Sequence, residues 1–231
     1  MIEKLEKKGD ILQVIINFDV LDSFIKKNNF LVITDDMLKK ENMYKDLKYS
    51  TTDNFLHKKI YPSDMPLIIN KDVWNKLVSS NNDLKRLGLC IKILDAYRPI
   101  QVQQLFWQFY KEKEGSVNEN FIANPVKYSI HNITLNAVDI IPVKLDNKAI
   151  ELPCEFDDFT NKAKINYNLC SDLAKYNRDK FIEILNNNGL IVNPDEWWHF
   201  YSDSLEYLGM GYDYSKTKYV PVLEKETFKL I

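Results

Sequence analysis

Only three histidines occur in the chain, His57, His131 and His199. Two of them stand near acidic residues at offsets that could do chemistry. One segment runs Ser129-Ile-His131-Asn-Ile-Thr-Leu-Asn-Ala-Val-Asp139, and the other is Glu196-Trp-Trp-His199-Phe. Two neutral imidazoles and a carboxylate form the three-ligand set of a catalytic zinc, with a fourth position left for water. Such a site lowers the pKa of water to about 7, so that hydroxide is available at neutral pH. A carboxylate must still accept the proton as attack proceeds, and Glu196 is placed to do so. The residues therefore read as zinc-dependent hydrolysis, with His131, Asp139 and His199 on one Zn2+ and Glu196 as general base. Spacing alone leaves an alternative open. E-x-x-H occurs often by chance, and a histidine beside tryptophans is more often a packed, hydrogen-bonded residue than a ligand.

The elements that must position these groups can be read from hydrophobic period. Residues 71–87 place Val73, Leu77, Leu84 and Leu87 along one side of a helix. Pro99 can open a second helix as its first residue, followed by a stripe of Val102, Leu105, Phe106 and Phe109. A third helix carries Leu169, Leu173, Tyr176, Ile184 and Leu185 as a core-packing stripe and stops at Gly189. Strand-like runs cover residues 89–94, 137–143, 190–192 and 196–201. Residues 1–45 suggest a strand and a short helix. No βαβ rhythm or phosphate-type glycine loop is present, and Gly209-Met-Gly211 lacks a third glycine after a strand. The pattern predicts an α+β fold with a small, mostly antiparallel sheet packed with helices. It also sets a condition. On a regular strand Glu196 and His199 point to opposite faces, so both reach one metal only if the strand bulges or Glu196 lies in the turn before it.

Composition narrows the function classes. With 45% apolar and 28% charged residues over 231 positions, the chain can bury a sizeable core. A net charge of −2 with no long basic run gives no footing for a nucleic-acid or anionic-membrane partner. No run reaches the ~18–20 apolar residues of a membrane span. The first residues have a basic start and a short apolar stretch, 11–18, without a small-residue cleavage site, so they are expected to be folded structure. Cys90, Cys154 and Cys170 form no C-x-x-C pair and suit a reducing compartment. A single cytoplasmic domain is expected, with an N-terminal segment to residue 45, a core over 46–201 and a C-terminal extension over 202–231.

Five segments in order carry a resemblance: residues 46–55 around Tyr49, Asp53 and Asn54; Asp95-Ala-Tyr97-Arg98-Pro99 with Val102-Gln103; Ser129-x-His131 leading to Asp139; Phe156-Asp157; and Asn188-Gly189 leading to Glu196-Trp-Trp-His199. In this they resemble the D-alanyl-D-alanine dipeptidases of the vancomycin-resistance type, a group of zinc D,D-peptidases. The resemblance implies one zinc on His131, Asp139 and His199, Glu196 as base, and Arg98 stabilising the tetrahedral intermediate. It implies that Ser129 and Asp157 hold the free amino group of the dipeptide and that Tyr49 and Trp197 wall the pocket. The expected partner is a small peptide such as D-Ala-D-Ala, in peptidoglycan turnover.

The segment from His131 to Asp139 departs from the family pattern His-x-x-Gly-x-Ala-x-Asp. It is one residue longer and has no glycine. The added residue changes side-chain parity, so a bulge or tight turn near residues 133–136 is expected, with Asn132 or Asn136 taking the left-handed conformation. Such a change could retune specificity toward a D,D-carboxypeptidase or another cell-wall peptide hydrolase. It could also mark an inactive peptide-binding homologue, a reading that the retention of His131, Asp139, His199, Glu196 and Arg98 argues against.

Overall fold

The computed structural model describes residues 14–16, 25, 30–62, 64–119, 121–125, 131, 135–202 and 228–230. In chain order these form β1 (Val14–Ile16), β2 (Phe30–Val32), α1 (Asp35–Glu41), β3 (Tyr44–Lys45), β4 (Ile68–Asn70), α2 (Lys71–Lys85), β5 (Leu89–Asp95) and α3 (Ile100–Glu114). There follow β6 (Ala137–Lys144), α4 (Asp172–Asn187), β7 (Leu190–Asn193), β8 (Glu196–Ser202) and β9 (Phe228–Leu230). The central sheet has the order β3-β5-β6-β8-β7, while β1 pairs with β9 and β2 with β4. Only the β3–β5 pairing in the central sheet is parallel. The fold is α+β with a mostly antiparallel sheet, as the pattern of short strands and amphipathic helices indicated. No helix among the described residues is long and apolar enough to cross a membrane.

Local chemistry sets the helix ends. The Asn70 side chain accepts from the Asp72 backbone N–H and starts α2. Ser171 caps α4 in the same way, accepting from Ala174 N–H. Pro99 sits one position before α3, in extended backbone, instead of inside its first turn. Gly115, with φ 74°, ends α3 in the left-handed conformation that glycine adopts at little cost.

The buried stripe of α4 differs from the expected one. Ala174, Arg178, Phe181, Ile184 and Leu185 face inward. Leu169 precedes the helix and is 82% exposed, and Leu173 and Tyr176 are 55% and 60% exposed. Arg178 explains the difference, because a hydropathy reading passes over a charged residue at a core position. Its guanidinium is satisfied inside by the Tyr167 carbonyl at 2.6 Å and the Asp179 carboxylate at 2.7 Å.

One core unites Trp74, Leu77 and Leu84 of α2, Phe181 and Leu185 of α4, and Ile91, Ile93 and Ile140 of the sheet. A second gathers Tyr49, Tyr61, Tyr97, Val102 and Phe106 around the start of α3. Each large side chain so buried contributes about 1.5–3 kcal/mol, which gives the strand ends between the two cores a rigid footing.

Candidate metal and peptidase site

Three neighbouring strands bring acidic and imidazole groups into a row. Asp139 on β6 lies opposite Asp95 on β5 and opposite His199 on β8. Directly opposed residues of an antiparallel pair share a sheet face. Asp95 reaches that face through a bulge. Ile93 pairs with Ile140, but the next pair is Asp95 with Asp139, leaving Leu94 unpaired between them. In unbroken register Asp95 would stand opposite Val138 and turn away.

His131 comes from the connection between α3 and β6. Its Nδ1 lies 2.6 Å from the Ala96 carbonyl oxygen. A carbonyl only accepts, so Nδ1 carries the proton and Nε2 presents its lone pair inward. That Nε2 is 3.2 Å from His199 Nδ1 and 3.5 Å from Asp139 Oδ2, and His199 Nδ1 is 2.9 Å from Asp139 Oδ1. Ligand atoms of all three residues lie within 4.8 Å of one another, and all three are buried. Four-coordinate bonds of about 2.0–2.1 Å place neighbouring ligand atoms about 3.3 Å apart, so these separations suit a small tetrahedral cation.

Electrostatics agrees with that fit. Burial works to raise the Asp139 carboxyl, yet His131 and His199 hold it far below the usual range. Burial lowers His199, keeping it neutral and able to donate a lone pair. Glu196 is pushed well above the usual range by burial and then by the negative charges of Asp139 and Asp157. Asp157 is pushed up to about 8, again by burial first, with Asp139 and Asp95 adding to it and Arg98 opposing. Four carboxylates around one guanidinium form a cluster that a further cation would relieve.

The parity condition on Glu196 and His199 is met by a break in β8. Val192 pairs with Phe200, but Asn193 pairs with Glu196. Trp197, Trp198 and His199 are therefore taken up against a single step of β7, and the strict alternation between positions 196 and 199 is lost. Asn193 Nδ2 donates to Glu196 Oε2 at 3.1 Å and fixes the carboxylate.

Arg98 is clamped. Its Nε donates to Asp95 Oδ2 at 2.8 Å, NH1 to Gln103 Oε1 at 2.8 Å and NH2 to Asp139 Oδ2 at 3.2 Å. Its Cζ lies 5.3 Å from the Tyr49 ring centre and 5.0 Å from that of Phe106. The salt bridge with Asp95 and the approach to the cluster of Asp139, His131 and His199 therefore coexist. Tyr49 donates its hydroxyl to Asp157 Oδ2 at 3.1 Å, linking the clamp to the Phe156-Asp157 segment.

Of the residues singled out from the sequence, His131, Asp139, His199, Arg98, Glu196, Tyr49 and Asp157 belong to one cluster. Trp197 is fully buried and gives its indole N–H to Cys154 Sγ at 3.4 Å. Ser129 and Asn132 lie outside the described residues. Among the described residues of the lengthened segment Leu135 is left-handed, with φ 50°, and Asn136 is not. Leu135 is 1% exposed, so apolar burial offsets the strain that its backbone carries. Tyr61, which donates to Asp95 at 3.1 Å, and Asn193 were not anticipated. Asn193 had a faint signal, since Asn-Pro-Asp before Glu196 is turn chemistry, whereas Tyr61 had none.

Residues 27–215 match the peptidase M15 family described as D-ala-D-ala dipeptidase. A D-alanyl-D-alanine dipeptidase of Escherichia coli (strain K12) is 26% identical over 155 residues, covering 67% of this chain and 76% of that protein. One of Enterococcus faecium is 22% identical over 172 residues, covering 67% and 83%. Among solved structures, an LD-carboxypeptidase described for its peptidoglycan recognition aligns at 14% identity with a TM-score of 0.41, over 80% of this chain and 90% of that one.

Proposed function

We propose that this chain, which belongs to the D-Ala-D-Ala dipeptidase family of M15 peptidases and is a metallopeptidase, is a zinc enzyme that hydrolyses D-Ala-D-Ala or a close relative in peptidoglycan metabolism. The observation that supports it most is the convergence of His131 Nε2, His199 Nδ1 and the Asp139 carboxylate in one buried cluster that also holds Arg98. The N/O donor set fits zinc, with these three residues holding it. Zinc, when bound, supplies Lewis acidity that polarises a carbonyl and makes water a nucleophile at neutral pH.

The protein's own groups do the rest. Glu196 takes a proton from the attacking water on its carboxylate and returns it to the leaving amine, so that one water and one peptide yield two amino acids. A carboxyl raised by burial is suited to both transfers near neutral pH. The Arg98 guanidinium faces the charge that develops on the carbonyl oxygen, in a setting where water does not screen it. Arg98→Lys should lower kcat roughly tenfold, because a point charge cannot copy the planar fork, a smaller loss than the 10²–10³ of removing an oxyanion donor outright. Steady-state kinetics at normal zinc content checks this, and wild-type turnover would reduce Arg98 to a structural role.

Substrate length is set by what meets the free amino group. Asp157, half-buried and oriented by Tyr49, offers a carboxylate for that ammonium, and the family resemblance assigns Ser129, outside the described residues, to the same group. An ammonium there favours the ionised carboxylate that burial disfavours, a contact of about 1.5–3 kcal/mol. Free D-Ala-D-Ala should therefore be cleaved at least ~10-fold better than its N-acetylated form in kcat/KM, and Asp157→Ala should narrow the gap. Equal rates, or a preference for the blocked peptide, would move the protein to the D,D-carboxypeptidase reading. No hydrolysis of either peptide by zinc-loaded protein would leave a peptide-binding homologue.

A further inference from the structure

Gln103 lies in the sequence segment that follows Tyr97-Arg98-Pro99, and the mechanism above gives it no part. It stands in the first turn of α3, 1% exposed, and both ends of its amide are committed. Oε1 accepts from Arg98 NH1 at 2.8 Å, and Nε2 donates to the Ala123 carbonyl at 2.8 Å. A carbonyl cannot donate and a guanidinium cannot accept, so these partners fix the orientation of the amide. The chain of contacts runs from backbone at residue 123, beyond the far end of α3, through Gln103 to the guanidinium.

We infer that Gln103 is a positioning residue for Arg98, holding the guanidinium in the plane that directs NH2 at the Asp139 edge of the site. The inference rests on the proposed catalytic role of Arg98. The geometry separates the jobs of the neighbours. Asp95 and Asp139 hold Nε and NH2, so they fix one edge of the fork. The rings of Tyr49 and Phe106 restrict tilt out of the plane. Rotation about the Cζ–Nε bond, which swings NH1 and NH2 together, is opposed at the NH1 end by Gln103. Without that acceptor, a guanidinium nitrogen in a buried site loses a hydrogen bond to a neutral amide and the plane loses a stop. Small misplacements of an oxyanion donor are costly, because its advantage depends on being oriented before charge develops.

The test uses Gln103→Met, which keeps length and burial without the acceptor, and Gln103→Glu, which restores an acceptor for NH1 but cannot donate to Ala123. The first readout is the ¹⁵N spectrum of the Arg98 side chain in full-length, zinc-loaded protein. Wild type should give resolved Nη signals with slow rotation, Gln103→Met should average them, and Gln103→Glu should keep them resolved. The second readout is turnover of D-Ala-D-Ala. Gln103→Met should lose about tenfold in kcat with KM within about twofold, and Gln103→Glu should recover part of the loss. In an Arg98→Ala background, Gln103→Met should cost nothing further, since a group that acts only through Arg98 is silent without it. Unchanged Nη rotation in Gln103→Met, or additive losses in the double variant, overturns the inference. If wild type leaves the dipeptide intact, the proposed function fails instead, and the Nη signals still decide whether Gln103 holds the guanidinium.

Discussion

Replacing Glu196 with glutamine is expected to lower kcat by ~10²–10⁴ while leaving zinc content at the wild-type level. The amide keeps the shape of the side chain and can still accept a hydrogen bond from Asn193 Nδ2 through its carbonyl oxygen. It cannot take a proton. Burial and the nearby charges of Asp139 and Asp157 already push the Glu196 carboxyl upward, so the neutral amide suits the site and should not unfold it. The separation of effects is the point of the experiment, because a ligand would change metal content and a base would change only turnover. Measured side by side, elemental analysis and kcat distinguish the two. Near wild-type turnover would remove Glu196 from the mechanism, and loss of metal would make it a ligand.

How much of this was legible before the structure differs from residue to residue. The strands were readable because β-branched and aromatic runs end at turn residues, so the extents of β5, β6, β7 and β8 were anticipated to within one residue. The trio that could hold a metal was readable from residue type, since three histidines in 231 residues leave few combinations. What surrounds it could not be read, because Asp95 and Glu196 join it through two register breaks, at Leu94 in β5 and between Glu196 and Phe200 in β8. A bulge leaves no dependable mark in sequence. It is chosen by which pairing buries more side chain, and Trp197 and Trp198, at 0% and 1% exposure, favour the broken register here. The α4 stripe was misread for the opposite reason. Arg178 is buried because loop carbonyls and Asp179 satisfy it, a tertiary fact invisible to periodicity. Among the described residues of the lengthened segment the positive φ falls on Leu135 and not on Asn136, where burial of Leu135 in the second core offsets the backbone strain.

His199→Ala should reduce zinc from about one equivalent per chain to a small fraction, and kcat by ~10³ or more. Removing the imbalance of charge by metal binding has a consequence beyond turnover. Without the cation, the half-buried Asp157 has a carboxyl raised to about 8, against about 3.9 in an unfolded chain. A group raised in the folded state contributes its stability below the unfolded pKa and loses it as pH rises toward the folded value. The zinc-free variant should therefore melt at a lower temperature at pH 8 than at pH 6. His199, whose own lowered pKa would act in the opposite sense near pH 6, is absent from the variant. In the zinc-loaded wild type the cation favours the ionised carboxylates, and the same pH change should have a much smaller effect. Chelation should lower the melting temperature of the wild type, a drop that restored zinc reverses. The measurement is a pair of thermal melts at the two pH values, with metal content determined on the same samples. A variant that retains a full zinc equivalent would remove His199 from the ligand set, and a zinc-free variant whose melting temperature rises from pH 6 to pH 8 would remove Asp157 from the charge-frustrated cluster.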